Sequence, residues 1–186
     1  MSQTTKQVLA ASLMKLLETK PLDRITVTDL TQDCGVNRQT FYYHFQDIYA
    51  LVDWIFLQQG EEVLAGDKTY ATWRAGFFRV FQYLQSNQRL VLHTYHSISR
   101  DQLEAYLYRV TFHLLSQVLE ELSEGLSIRQ EDRDFIAHFY KYAFVGLVLD
   151  WVREGMKADP QLLVDKVGEL LQGDFRRGLE KLSVMP

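Results

Sequence analysis

The sequence predicts an all-α protein of about nine helices, and three observations carry that expectation. Apolar residues recur at helical spacing along almost the whole chain, and no stretch sustains the alternation of a half-buried strand. Only three prolines occur in 186 residues, so long helices run uninterrupted. Capping residues, glycines and the few prolines fall where such helices would start and stop.

The first helix is expected over about 5–19, with Leu9, Leu13, Leu16 and Leu17 on one face and Pro21 helping to end it. The second starts at Thr26, because TVTD allows Thr26 to cap the amide of Asp29 while Asp29 reaches back. Leu30 and Cys34 lie one turn apart on its inner face, and Gly35 supplies the tight turn that stops it. Asn37 caps a short third helix over 38–44. Asp47 caps a fourth, which turns Ile48, Leu51, Val52, Ile55 and Phe56 inward. After a polar break at GEEVLAGDKT come a helix with Trp73, Phe77, Phe78, Phe81 and Leu84, and a short one after Asn87. A long helix follows, opened by Ser99 with Gln102 in capping-box spacing and closed near Gly125. Two more are expected at about 130–155 and 160–181, the last announced by Asp159 followed by Pro160.

Composition narrows the function. Apolar residues make up 47% and charged residues 24%, as in an ordinary globular protein, and the net charge is -4. A positive field over the whole molecule is excluded, so nucleic acid must be held by a local patch. One cysteine, Cys34, allows no internal disulfide. The N-terminus lacks the apolar core of a signal peptide. The longest apolar run, FYKYAFVGLVLDWV, contains Lys141 and Asp150 and falls short of the roughly 18–20 residues of a membrane span. A soluble cytoplasmic protein with no membrane partner is expected.

Catalysis finds no constellation. His93 and His96 in HTYH share a helix face without further ligands, no glutamate has a histidine three residues on, and there is no G-x-S-x-G elbow. The spacing of Gly168 and Gly173 continues with Asp-Phe and not with the Lys-Ser/Thr of a phosphate loop. No enzyme, metal or cofactor is expected.

The informative stretch is CGVNRQTFYYHF. Two short helices joined by a glycine turn make a helix-turn-helix, whose second helix suits the DNA major groove. At about 100° per residue, Phe41 and Phe45 stack one turn apart and point inward with Val36. Gln39, Thr40, Tyr42 and Tyr43 then spread over the opposite face, flanked by Arg38 and His44. A guanidinium, an amide, hydroxyls and phenols there can meet base edges and phosphates, and the helix N-terminus adds unpaired amides.

ITVTDLTQDCGVNRQTFYYHF resembles the helix-turn-helix of TetR-family transcriptional regulators. The shared features are a Thr-Val start, an acidic residue two positions later, a Gly-Val turn and a Thr-Phe-Tyr-x-His-Phe ending. The resemblance covers roughly the first third of the chain. GVNRQTFYYHFQDIYALVDWIF also resembles the subgroup linked to dihydroxyacetone kinase operons. The family implies a DNA-binding domain over 1–46 and a helical effector-binding and dimerisation domain over 47–186. It places Thr28 within reach of DNA, Arg38 and Gln39 on bases, and Thr40, Tyr42, Tyr43 and His44 on phosphates, Tyr42 sometimes also touching a base. One position departs: many members carry a phosphate-binding Lys just inside the fourth helix, and here it is Ile48. Binding would then lean on Lys6, Lys20 or Arg24. In residues 1–46 the positives Lys6, Lys15, Lys20, Arg24 and Arg38 barely outnumber Glu18, Asp23, Asp29 and Asp33. A modest salt dependence follows.

The helix over 130–155 is apolar on nearly every side, so it must pack on two surfaces. With the last helix, where Leu163, Val167, Leu170, Leu171 and Leu182 form a stripe, it can build a four-helix bundle with a second copy. Phe144, Leu147, Trp151, Val167 and Leu171 are the expected dimer residues. The aromatic-rich middle suggests a small-molecule effector held by Tyr95, His96, Tyr106, Arg109, His113, Phe139 and Tyr142. The reading is a ligand-responsive, homodimeric, DNA-binding regulator on a palindromic operator, with double-stranded DNA as partner. The competitor is an all-α small-molecule-binding or scaffold protein whose DNA-binding domain is vestigial.

Overall fold

The computed structural model describes residues 2–64, 69–97 and 100–183. Among these are ten α-helices, a short 3-10 turn at Leu22–Arg24 and no strand. The helices are α1 (Ser2–Leu16), α2 (Val27–Cys34), α3 (Arg38–His44), α4 (Ile48–Leu64) and α5 (Trp73–Ser86). They continue with α6 (Gln88–Tyr95), α7 (Arg100–Leu122), α8 (Gln130–Arg153), α9 (Pro160–Leu170) and α10 (Asp174–Leu182).

The tenth helix is the departure from the expected nine. The run expected as one helix over 160–181 breaks where Asp174 N–H closes onto the Leu171 carbonyl at 3.1 Å and Gly173 adopts φ 78°. A left-handed residue cannot continue a right-handed helix, so the chain restarts at Asp174. Two further boundaries moved. The first helix ends at Leu16, ahead of the turn that Pro21 follows, and α4 runs through part of the expected polar break to Leu64. The Ser99 cap lies outside the described residues.

The chain forms two compact units. The first holds residues 1–60 and 87–106. Its core is Leu9 and Leu13 of α1, Leu17 just after it, Leu30 of α2, Phe41 of α3, and Leu51, Val52 and Phe56 of α4, all at most 2% exposed. Phe56 stacks on Tyr106, with centroids 5.1 Å apart. The Gln102 amide donates to Asp53 Oδ2 at 3.2 Å, which ties the start of α7 to α4.

The second unit holds residues 61–86 and 107–186. Aromatic rings dominate its interior. Phe77 of α5 lies 4.6 Å from Phe144 of α8, Phe81 lies 5.0 Å from Trp151, and Trp73 meets Phe175 of α10 at 5.8 Å. Trp151 Nε1 donates to the Ala158 carbonyl at 2.8 Å, so its one polar atom is satisfied. By length and composition α8 is long and apolar enough to cross a membrane, contrary to the expectation from its run FYKYAFVGLVLDWV. Its buried side chains Phe144, Val145, Val148, Trp151 and Val152 are committed to this unit's core.

Candidate nucleic-acid interface

Local chemistry builds the helix-turn-helix. Thr26 Oγ1 accepts the Asp29 amide at 3.1 Å and Asp29 Oδ2 accepts the Thr26 amide at 2.8 Å, a complete capping box for α2. Gly35 ends α2 with φ 70°. Asn37 Oδ1 accepts both the Thr40 amide at 2.7 Å and the Thr40 hydroxyl at 2.9 Å, which fixes the start of α3. The unit is braced from α1: Ser12, itself buried, donates to the Leu30 carbonyl at 3.3 Å and to Asp33 at 2.9 Å.

The inner side of α3 is Phe41 and Phe45, with rings 5.9 Å apart, and Trp54 packs on Phe45 at 6.1 Å. The outer side is open. Arg38 and Gln39 are exposed, Tyr42 keeps 51% of its surface and Tyr43 82%, and Thr28 is exposed on α2. Thr40 and His44 are half-buried. The rings of Tyr43 and His44 meet edge-on at 4.9 Å. The Thr40 proton points at Asn37, so its hydroxyl must turn before it can donate to a phosphate. All seven residues expected to touch DNA thus lie on α2 and α3 of one unit, and none is fully buried.

The cations are placed less evenly. Lys15 pairs with Asp33 at 2.5 Å and Lys20 with Asp29 at 2.7 Å. Those contacts lower both carboxyls: Asp29 falls to about 2, through Lys20 first and then Thr26, and Asp33 falls through Lys15 and then Ser12. Ile48 is buried, so that position belongs to the core. Lys6 lies over the rings of Phe45 and Trp54, at 5.6 and 5.9 Å, with no carboxylate on it among the described residues. Of the three substitute anchors, Lys20 is engaged, while Lys6 and Arg24 carry no ion pair among the described residues.

A family model for bacterial regulatory proteins of the tetR family matches residues 9–55, and one for a transcriptional regulator C-terminal region of the same family matches 71–173. The chain belongs to the TetR family. This TetR-family chain is 30% identical over 84 residues to the HTH-type dhaKLM operon transcriptional activator DhaS of Lactococcus lactis subsp. lactis. That match spans 45% of each chain. Two solved structures share the fold. The dihydroxyacetone kinase operon activator DhaS has a TM-score of 0.73 at 21% identity, covering 97% of this chain and 98% of that one. The fatty acid degradation regulator FadR from Bacillus halodurans has a TM-score of 0.63 at 16% identity, covering 90% and 97%.

The other expected site residues scatter. Tyr95, His96 and Tyr106 lie in the first unit, with Tyr95 and Tyr106 buried and His96 exposed. Arg109, His113, Phe139 and Tyr142 lie in the second and are exposed. Within the second unit, an apolar cavity of about 20 Å³ is lined by Trp73, Phe77, Thr111, Leu114, Leu115, Val118 and Phe144. That is roughly the room of a single water. A polar indentation of about 110 Å³ is lined by Ser116, Leu119, Glu120, Gln130, Arg133 and Asp134. Of the expected dimer residues, Phe144, Trp151 and Val167 are buried within the unit, Leu171 is half-buried and Leu147 is 40% exposed. The large apolar groups left open on α8 are instead Phe135, Phe139 and Tyr142, at 65, 64 and 59%. Helical spacing of 4 and 3 residues could have revealed that stripe, but the sequence offered equally good stripes beside it.

Proposed function

We propose that this chain is a ligand-responsive transcriptional regulator that binds a palindromic operator as a homodimer. The observation that carries the reading is the outer face of α3, where Arg38, Gln39, Tyr42 and Tyr43 stand exposed on a helix anchored by Phe41 and Phe45. Residues 1–46 serve as the reading head and 47–186 as the effector and dimerisation portion. Arg38 and Gln39 read bases, and Thr28, Thr40, Tyr42, Tyr43 and His44 hold the backbone. Two copies join through the open side of α8, with Phe135, Phe139 and Leu147 against their counterparts. Leu162 and Leu170 of α9 are exposed as well.

Effector binding shifts the population between two separations of the reading heads, only one of which fits successive major grooves. Of the expected effector contacts, Arg109, His113 and Tyr142 remain in the second unit and Tyr95, His96 and Tyr106 in the first, while Phe139 goes to the seam. The protein acts where the DNA is, in the cytoplasm. Its similarity to a dhaKLM operon activator makes genes for dihydroxyacetone phosphorylation the first place to seek the operator.

The test is selection and sequencing of bound genomic fragments by wild type and Tyr42→Ala at low salt. A palindrome enriched by the wild type and lost in the variant supports the reading. No enrichment from folded dimer, with and without cell extract, transfers it to a small-molecule-binding protein with a vestigial DNA-binding domain. The buried Ile48 and the paired Lys15 and Lys20 are the observations on that side.

A further inference from the structure

Lys141 of α8 keeps only 8% of its surface, yet it carries a cation. Its ammonium lies among three rings, 4.6 Å from the centroid of Tyr142, 5.2 Å from Tyr108 and 5.7 Å from Phe112. Its one hydrogen bond among the described residues is to His138 Nδ1, at 2.9 Å. An ammonium only donates, so Nδ1 accepts and the imidazole proton sits on Nε2. The His138 ring lies 4.5 Å from that of Phe112, and Tyr108 meets Tyr142 edge-on at 5.4 Å. All five residues belong to the second unit.

No carboxylate lies within ion-pair distance of Lys141 among the described residues. Neither 105–119 of α7 nor 135–149 of α8 contains an Asp or Glu, while Arg109 and His113 add to the basic character. Ring faces offset part of the cost of withdrawing an ammonium from water, but two of its N–H groups have no protein acceptor among the described residues. A cation placed in this way, with an imidazole N–H beside it, is matched by an anion that brings its own oxygens. The rings already hold a cation, so a second one is repelled.

We propose that Lys141 and His138 form a binding site for a small organic anion bearing a carboxylate or phosphate. The anionic group takes the free N–H groups of Lys141 and the Nε2–H of His138. The organic portion lies against Tyr142, which is 59% exposed and open to a ligand. Use of this site by an effector rests on the regulator reading, whereas binding itself does not and is measured without DNA.

The experiment titrates the full chain with benzoate, and separately with inorganic phosphate, while following the His138 ring signals by NMR. Saturable shifts at millimolar benzoate are expected, with inorganic phosphate weaker because it has no body to place on the rings. Lys141→Met should weaken benzoate by at least roughly tenfold, and Lys141→Arg by no more than about threefold. Lys141→Met should melt at or above the wild-type temperature, since an apolar side chain suits the same walls. His138→Phe, followed through the Tyr142 ring signals, provides a second variant should Lys141→Met fail to fold. The proposal is overturned if benzoate gives no saturable shift up to about 20 mM, or binds wild type and Lys141→Met equally. It is equally overturned if Lys141→Met weakens self-association in sedimentation while benzoate fails to bind the wild type, because the anion is then a carboxylate of a second copy. Benzoate binding without DNA binding would keep the site and remove the regulator.

Discussion

Asp29 accepts hydrogen bonds from the Lys20 ammonium, the Thr26 amide and the Thr26 hydroxyl, and they hold its carboxyl at about 2. In the unfolded chain the group titrates near its ordinary value of about 3.9. Its contribution to stability is therefore complete above that value and is lost as pH falls toward about 2. Asp29→Asn should flatten the fall in stability over that window, a change visible in urea midpoints taken at intervals from neutral to acid pH. Thr26→Ala should cost about 1 kcal/mol by the same denaturation, through loss of the cap. These caps were legible in the sequence because each joins residues three apart. The pairings of Lys15 with Asp33 and Lys20 with Asp29 were not, since they span 18 and 9 residues and depend on how α1 meets α2. Which cations stay open for phosphates is a tertiary fact, and no local spacing encodes it.

At the scale of elements, α9 shows how a glycine serves a neighbour. The Arg74 guanidinium crosses Gly168 and donates to its carbonyl at 2.8 Å, and a Cβ on residue 168 would stand 2.3 Å from Arg74 Nε. Gly168→Ala should cost roughly 0.5–1.5 kcal/mol by evicting that hydrogen bond. In an Arg74→Ala background the same change should stabilise by up to about 1 kcal/mol, through helix propensity alone. A double-mutant cycle in urea measures the difference, and additive effects would show that Arg74 does not matter there. The start of α3 was read correctly from Asn37, whereas α8 exposed the limit of such reading. A helix that is apolar all round has no preferred face on a wheel, so its inner residues Phe144 and Trp151 were expected outside. Only the rings of α5 and α10 packing on that side decide the matter.

At the scale of the molecule, the proposed seam on α8 allows assembly to be tested apart from folding. Phe139→Glu should shift the chain toward monomer in sedimentation with little change in melting temperature, because the side chain is 64% exposed. Phe144→Ala, in contrast, should cost about 3–5 kcal/mol in denaturation, because it empties a packed aromatic core. The fold class and the reading helix were legible in the residue pattern because both depend on short repeats. That the expected effector residues fall in two separate units was not legible, since it requires knowing which side chains distant segments bring together. The pairing of Lys15 and Lys20 with carboxylates has a consequence for how such a protein finds its target. Attraction to arbitrary DNA scales with the phosphates that free cations neutralise, and here few cations are free. The vast excess of unrelated genomic sites then sequesters little of the protein. A small number of molecules, spending most of the search in solution, can keep a single operator filled.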